Sequence, residues 1–322
     1  MRPYVPLTVK SNFSFLEGAS HPHELVEQAV ALGLPALGLC DRNGVYGVVR
    51  AHVAAKKLGL PLVLGAELNV GELPEELFAS TPRSGGRKRK PVEARASVIV
   101  LAESRIGWAR LCRLLSIAHT RGPKGQALLT LDELAGGVAT GIYNEAANTP
   151  APSEHVGDGL IALVRDPEHL PILAEAWGSD RVYGLITRHQ QAEELAREDA
   201  MRRAGLRCSV PCVGGTDVLY HSPARRSLQD VLACVRAGTT LAEAGLTIQG
   251  NAEHALESIQ AMRERFADAP ELLDRTLEIA ERCCVSGLPA STDPRFASVG
   301  TPMPSRGGQV SGLPASTDPR FA

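Results

Sequence analysis

The residues LGLPALGLCDRNG (32–44) carry a joint between a helix and a strand that recurs along the chain. Gly33 follows an amphipathic run and suits the left-handed conformation that ends a helix, while Pro35 prevents the helix from continuing. An apolar strand follows at once. Residues 58–61 lead in the same way into LVLGAE, and residues 204–206 lead into VPCVGG. Each joint therefore predicts one αβ unit.

Short apolar runs alternate with amphipathic stretches over the first 215 residues. There are seven such runs, at residues 7–9, 36–39, 62–66, 98–102, 160–164, 182–186 and 210–213. Strands that alternate with helices predict a parallel sheet in an α/β fold. Seven units favour a closed (β/α)7 barrel over an open sheet, and the active sites of such barrels lie at the C-terminal ends of the strands.

The pattern changes outside the αβ units. Residues 1–250 are expected to form the barrel domain, with the basic segment TPRSGGRKRKP (81–91) as a loop. This loop would either contact phosphates or lie solvated, and the solvated form is favoured. Residues 251–284 form a helical junction segment without strands. Residues 285–322 repeat VSGLPASTDPRFA and predict a disordered tail, because they lack apolar periodicity.

Composition narrows the class of protein. The 322 residues are 44% hydrophobic and have a formal net charge of −2, which neither favours nor excludes a nucleic-acid partner. No apolar run reaches membrane-spanning length, and the N-terminus lacks the apolar core of a signal peptide, so a cytoplasmic protein without a membrane partner is expected. The seven cysteines contain no Cys-x-x-Cys pair, which predicts neither disulfides nor a zinc site.

Polar residues follow several predicted strands. Asp41, Glu67, His189 and Asp217 stand at these ends. Three carboxylates at one mouth would repel one another unless a cation or basic side chains compensate them. They therefore predict a hard-metal or two-metal site. The alternative is that each acid caps the following helix, as Asp217 would before SPARRSLQDVLACVRAG.

Long segments of the chain resemble one known family. SNFSFLEGASHP (11–22), VIVLAESRIGWARLCRLLSIAH (98–119) and GGTDVLYHSPARRSLQDVLACVRAGTTL (214–241) occur in the order typical of this family. They resemble the N-terminal PHP (polymerase and histidinol phosphatase) domain of bacterial C-family DNA polymerase III α subunits, in the error-prone branch. The resemblance covers roughly residues 4–284 and implies a distorted barrel of seven αβ units.

The resemblance also implies a metal site from which this chain departs. Active members bind divalent metals through histidines and carboxylates, and metal-activated water attacks phosphoesters. Asp41, Glu67 and Asp217 remain as residual metal positions. Other side chains stand at five positions where the resemblance implies histidine: Thr8, Lys10, Arg42, Ser97 and Leu219. Because none of these replaces a neutral imidazole ligand, the site is expected to be unoccupied.

The sequence hence favours a degenerate, metal-free PHP domain. It would act as a structural or interaction module linked to DNA replication or translesion repair, with a separately encoded polymerase core as partner. No Asp-x-Asp pair occurs, so a polymerase palm is not expected. No catalytic residue and no cofactor are assigned, and DNA contact is left open. The alternative is a phosphoesterase or 3′–5′ exonuclease that uses Zn, Mn or Mg on the residual carboxylates.

Two basic residues are candidates to replace the lost metal charge. Lys10 and Arg42 occupy former ligand positions beside the surviving carboxylates. We expect at least one of them to lie within about 4 Å of Asp41, Glu67 or Asp217, the usual limit for an ion pair.

Overall fold

A computed structural model describes residues 2–72, 96–121, 127–136, 143–144, 149–150 and 156–283. The predicted basic loop at 81–91 and the predicted tail at 285–322 lie outside these residues, so both stay predictions. Within the described part of the chain, every helix is too short or too polar to cross a membrane.

Six strands form one curled sheet, a half-barrel, in the order β1-β2-β3-β6-β7-β8. Their bounds are β1 Leu37–Arg42, β2 Leu62–Val70, β3 Ala96–Ala102, β6 Leu160–Val164, β7 Val182–Thr187 and β8 Cys212–Gly215. A separate pair is formed by the two-residue strands β4 Tyr143–Asn144 and β5 Thr149–Pro150. The α/β fold is thus confirmed, and six of the seven predicted apolar runs are strands.

The described residues form nine α-helices and three short 3₁₀ turns. The helices are α1 Pro22–Ala31, α2 Val48–Leu58, α3 Arg105–Arg121, α4 Leu131–Ala135, α5 Leu170–Trp177, α6 Glu194–Cys208, α7 Arg226–Ala237, α8 Ile259–Arg265 and α9 Pro270–Cys283. The 3₁₀ turns are Pro223–Arg225, Leu241–Glu243 and Gly245–Thr247.

The sheet is mixed, so the predicted all-parallel sheet is wrong at β3. Strand β3 runs antiparallel to both β2 and β6, whereas β1 and β2, β6 and β7, and β7 and β8 pair in parallel. Residues 98–102 are fully buried. A continuous apolar run is buried equally well in either direction, so its composition carries no information about strand direction.

The seventh predicted strand, residues 7–9, is not confirmed. Val9 makes an isolated parallel bridge to Val218, and its carbonyl accepts a hydrogen bond of 2.8 Å from the Cys40 amide. The segment therefore lies between β1 and residue 218 without a continuous ladder. Pro6 lacks an amide hydrogen, which removes one donor at the start of such a ladder.

Two of the three predicted helix–strand joints are confirmed. Gly33 and Gly59 adopt positive φ values of 67° and 72° after α1 and α2. Gly205 instead lies inside α6, and the C-cap residue of α6, Ser209, has the positive φ value, 55°. A Cβ atom at position 205 would lie 2.8 Å from the carbonyl oxygen of Val210. This glycine is thus required for close packing rather than for helix termination.

One face of the sheet continues from the core into a polar end. Helix α9 packs on this face over a core cluster that includes Val63, Ile99, Leu101, Ile161, Leu163, Val213, Ile279, Ala280 and Cys283. Because side chains alternate along a strand, Glu67, Ser97 and Arg165 lie on the same face of β2, β3 and β6 as these core residues, one or two positions further toward the polar end.

Candidate functional site

Lys10 is buried at the polar end of this sheet face, with 7% of its surface exposed. Its ammonium contacts the carboxylates of both Glu17 and Glu67. The hydroxyl of Ser97 donates a hydrogen bond of 2.6 Å to Glu67 Oε1. Each oxygen of Glu67 therefore has a partner from this chain.

Arg165 links Asp217 to Glu67. Its Nη1 donates to Asp217 Oδ2 at 2.9 Å, and its Nη2 contacts Asp217 Oδ1. Its Nε lies 3.9 Å from Glu67 Oε1. Such a bidentate guanidinium–carboxylate pair is directional and charge-assisted. We call Lys10, Glu17, Arg42, Glu67, Arg165 and Asp217 the charged cluster.

The ionisation of the charged cluster follows from its cations. Burial raises the pKa of the Glu67 carboxyl, but Lys10 and Arg165 outweigh burial and hold that pKa below its usual value. Burial likewise opposes ionisation of Asp217, and Arg165 and Lys10 lower its pKa well below the usual range. Burial lowers the pKa of Lys10, yet Glu67 and Glu17 raise it overall. All three groups are therefore charged at neutral pH.

Arg42 lies on the other side of Glu17. Its Nη2 is 3.0 Å from Glu17 Oε2, and Arg236 Nη1 is 3.7 Å from the same oxygen. The structure thus places Lys10 beside one of the three predicted carboxylates, Glu67, and places Arg42 beside Glu17 instead.

Asp41 is held apart from the charged cluster. Its Oδ1 accepts hydrogen bonds from the Ser11 amide at 2.7 Å and from the Ser14 hydroxyl at 2.8 Å. The Ser11 hydroxyl is 2.9 Å from both carboxylate oxygens. Burial raises the pKa of Asp41, and these donors only partly oppose the rise. The expected convergence of three carboxylates therefore holds for Glu67 and Asp217 alone.

The predicted helix-cap role of Asp217 is wrong. Ser222 is the N-cap residue of the 3₁₀ turn Pro223–Arg225, and Arg225 is that of α7. The Asp217 side chain instead pairs with Arg165. Because the half-buried carboxylate forms a charge-assisted pair with this guanidinium, the pair replaces the capping contact.

His189 has a partner at each ring nitrogen. Its Nε2 accepts a hydrogen bond of 2.8 Å from the Asp217 amide, so its Nδ1 carries the proton and donates to Glu194 Oε1 at 2.8 Å. The ring stacks on that of His254 with the centroids 4.1 Å apart. His189 thus has no free nitrogen lone pair with which to bind a metal.

The residues at this site do not fit a cluster of divalent metals. Arg165 and Lys10 occupy the carboxylate faces that a cation would need, and both bring positive charge. The described ranges contain no group of three or more His, Cys, Asp or Glu placed to hold a metal ion. Whether the protein binds metal stays a prediction for direct measurement.

Two residues of the charged cluster escaped the sequence prediction. Arg165 directly follows the run at residues 160–164, at the same kind of strand end that selected Asp41 and Glu67. A search of strand ends for basic as well as acidic residues would have found it. Glu17 lies in the segment between residue 10 and α1, where no strand end marks it.

Comparisons with known proteins agree with the resemblance. Residues 6–148 match the PHP domain family. The error-prone DNA polymerase of Anaeromyxobacter dehalogenans strain 2CP-1 is 42% identical over 282 residues, which are 87% of this chain and 22% of that protein. Error-prone DNA polymerase 1 of Agrobacterium fabrum strain C58 is 35% identical over 280 residues, with the same two coverages.

Among solved structures, an amidohydrolase from Chromobacterium violaceum overlaps 67% of this chain and 88% of its own chain, with a TM-score of 0.39 and 16% identity. The chain spans about a fifth of the length of the polymerases that it matches. Residues 6–148 therefore match the PHP domain family, and the chain is a homologue of part of the error-prone DNA polymerases.

Proposed function

We propose that this PHP domain is a non-catalytic structural or interaction module of error-prone DNA replication or translesion repair. The observation that carries the proposal is the pairing of Arg165 with both carboxylate oxygens of Asp217, beside the contact of Lys10 with Glu67. Side-chain cations of the chain thereby compensate the two carboxylates that a metal would otherwise neutralise.

The charges of the cluster argue against hydrolysis. A phosphoesterase or 3′–5′ exonuclease would need an activated water, supplied by a metal or by a general base. Glu67 and Asp217 have lowered pKa values and are engaged by cations, so both are weak bases. Arg165 remains protonated and would have to leave Asp217 before a cation could bind. No cofactor is therefore proposed.

The comparisons support a polymerase-related partner. The matched polymerases carry roughly four-fifths of their length outside the region that they share with this chain. We propose that the module works in the cytoplasm with a polymerase core encoded as a separate chain.

Hydrolysis assays test the non-catalytic part of the proposal. The full chain would be incubated with bis-p-nitrophenyl phosphate and with end-labelled single-stranded DNA, each with added Zn²⁺, Mn²⁺ or Mg²⁺. We expect the rate to equal that of Asp217→Ala. Hydrolysis that disappears in Asp217→Ala would favour the enzyme instead.

Affinity purification tests the partner. The tagged full chain, recovered from the cells that encode it, should bring down a C-family polymerase core identified by mass spectrometry. Recovery of the chain without such a core would contradict the proposed partner.

A further inference from the structure

Two Phe or Tyr rings are exposed to solvent. Phe15 is 76% exposed and Tyr46 is 60% exposed, whereas the other Phe, Tyr and Trp side chains whose burial the structure describes are buried or half-buried. Exposure of large rings is unfavourable in water, so exposed aromatic residues often mark a binding surface.

The two rings flank the same buried carboxylate. Phe15 follows Ser14, whose hydroxyl donates to Asp41. Tyr46 precedes Gly47, whose backbone lies directly beside Asp41. A Cβ atom at Gly47 would lie 2.6 Å from Asp41 Oδ2, which shows how closely the two segments meet. Asp41 thus fixes both segments beside one another.

A third ring in this region, that of Phe13, makes a cation–π contact. The guanidinium carbon of Arg50 lies 5.4 Å from the centroid of the Phe13 ring. Arg50 itself is exposed, so one face of its guanidinium remains accessible. Stacked arginine and aromatic groups bind the flat faces of bases and also attract phosphates.

The helix beside these rings is positively charged. Helix α2, with the sequence VVRAHVAAKKL, contains three basic residues and no acidic residue. Arg50, Lys56 and Lys57 are exposed, and none of them has a carboxylate partner within the described part of the chain. Their charge is therefore available to a polyanion.

We propose that Phe13, Phe15, Tyr46 and the basic side of α2 form a binding surface for single-stranded nucleic acid. We call this set the aromatic surface. Bases would stack on Phe15 and Tyr46, while Arg50, Lys56 and Lys57 would contact the phosphates. This binding needs neither hydrolysis nor a polymerase partner, so it goes beyond the proposed module function.

The chemistry of the aromatic surface favours nucleic acid over a protein. Val49 and Val53 are also exposed on α2, at 71% and 65%, and would suit an apolar protein partner. Aromatic rings interleaved with unpaired cations, however, match the alternation of bases and phosphates along a strand. A protein partner, including a second copy of this chain, is the competing outcome.

Fluorescence anisotropy with fluorescein-labelled oligo(dT)₂₀ tests the proposal on the full chain. We expect binding at about 50 mM salt that weakens as salt rises. Phe15→Ala and Tyr46→Ala should each raise Kd roughly tenfold, the loss expected when one stacked base loses its ring. The matched control is Leu206→Ala on α6, where the leucine is 82% exposed.

Two further variants at Phe15 separate loss of binding from loss of folding. Phe15→Trp should retain binding and Phe15→Leu should lose it, because leucine keeps the apolar surface but cannot stack. Absence of oligo(dT)₂₀ binding, or equal binding by Phe15→Ala and the parent chain, would overturn the proposal. So would self-association of the parent chain that disappears in Phe15→Ala.

Discussion

Replacement of Lys10 by methionine should strongly destabilise the fold. Methionine keeps the length and the unbranched shape of the side chain but removes the ammonium. Glu17 and Glu67 would then lie buried without the cation that contacts both of them. Breaking a buried ion pair by removing one partner typically costs about 3–5 kcal/mol of unfolding free energy.

The remaining cations of the charged cluster reduce this loss. Glu17 keeps Arg42 at 3.0 Å, and Glu67 keeps Arg165 at 3.9 Å and the Ser97 hydroxyl. We therefore expect Lys10→Met to lower the unfolding free energy by about 3 kcal/mol, at the low end of that range.

The pH dependence gives the sign of the effect. In the parent chain the Glu67 pKa is lowered, so the stability from its ionised form is present above the unfolded pKa of about 4.3 and is lost as pH falls through the folded pKa. Without Lys10, burial would raise the Glu67 pKa. The loss in Lys10→Met should consequently be greater at pH 7 than at pH 4.

Urea unfolding followed by circular dichroism would measure these differences. Arg2→Met is the control, because Arg2 pairs with Asp274 at the surface and its side chain is 76% exposed, so a change under about 0.5 kcal/mol is expected. In Lys10→Met/Glu67→Gln the two losses should be less than additive. A neutral Lys10→Met, or strict additivity, would refute an energetic role for the pair.

Further predictions concern the rest of the cluster, the buried histidine and the tail. Arg165→Leu should destabilise the fold by about 3 kcal/mol in urea, the low end for a buried ion pair, because the side chains of Arg165 and Asp217 are 21% and 22% exposed. Arg165→Lys should restore only part of this because lysine cannot bind both oxygens. Burial and His189 lower the pKa of His254 to about 4. The stability that comes from neutral His254 should thus be present above about pH 6.5 and be lost as pH falls toward 4. In urea denaturation at several pH values, His254→Asn should reduce this dependence of the unfolding free energy on pH. Deletion of residues 286–322 should leave the melting temperature unchanged in calorimetry, since the tail has little apolar surface; a large decrease would contradict its predicted disorder.

The sequence predicts strand positions better than strand partners. Apolar runs mark six strands, because burial of an apolar segment depends on local composition. The same runs do not reveal that β3 is antiparallel, since direction depends on how the chain returns to the sheet. Gly205 shows a related limit of local pattern: a glycine needed for close packing on Val210 resembles a helix terminator.

The candidate site is predictable in part for similar reasons. The strand-end rule finds Glu67 and Asp217, and the departures from the family pattern point to Lys10. Glu17 is brought to Lys10 by the path of residues 11–20, which no periodicity describes. Asp41 stands at a strand end as well, yet alternation of side chains places it on the opposite face of β1 from Arg42, and so away from the charged cluster.

The metal content of the purified full chain tests the central claim most directly. If Lys10 and Arg165 compensate the carboxylates that a metal would otherwise neutralise, inductively coupled plasma mass spectrometry should find less than one equivalent of zinc, manganese or iron in protein prepared without chelators. Two or three tightly bound metal ions per chain would contradict the account, because they could bind Glu67 and Asp217 only if both cations had moved away.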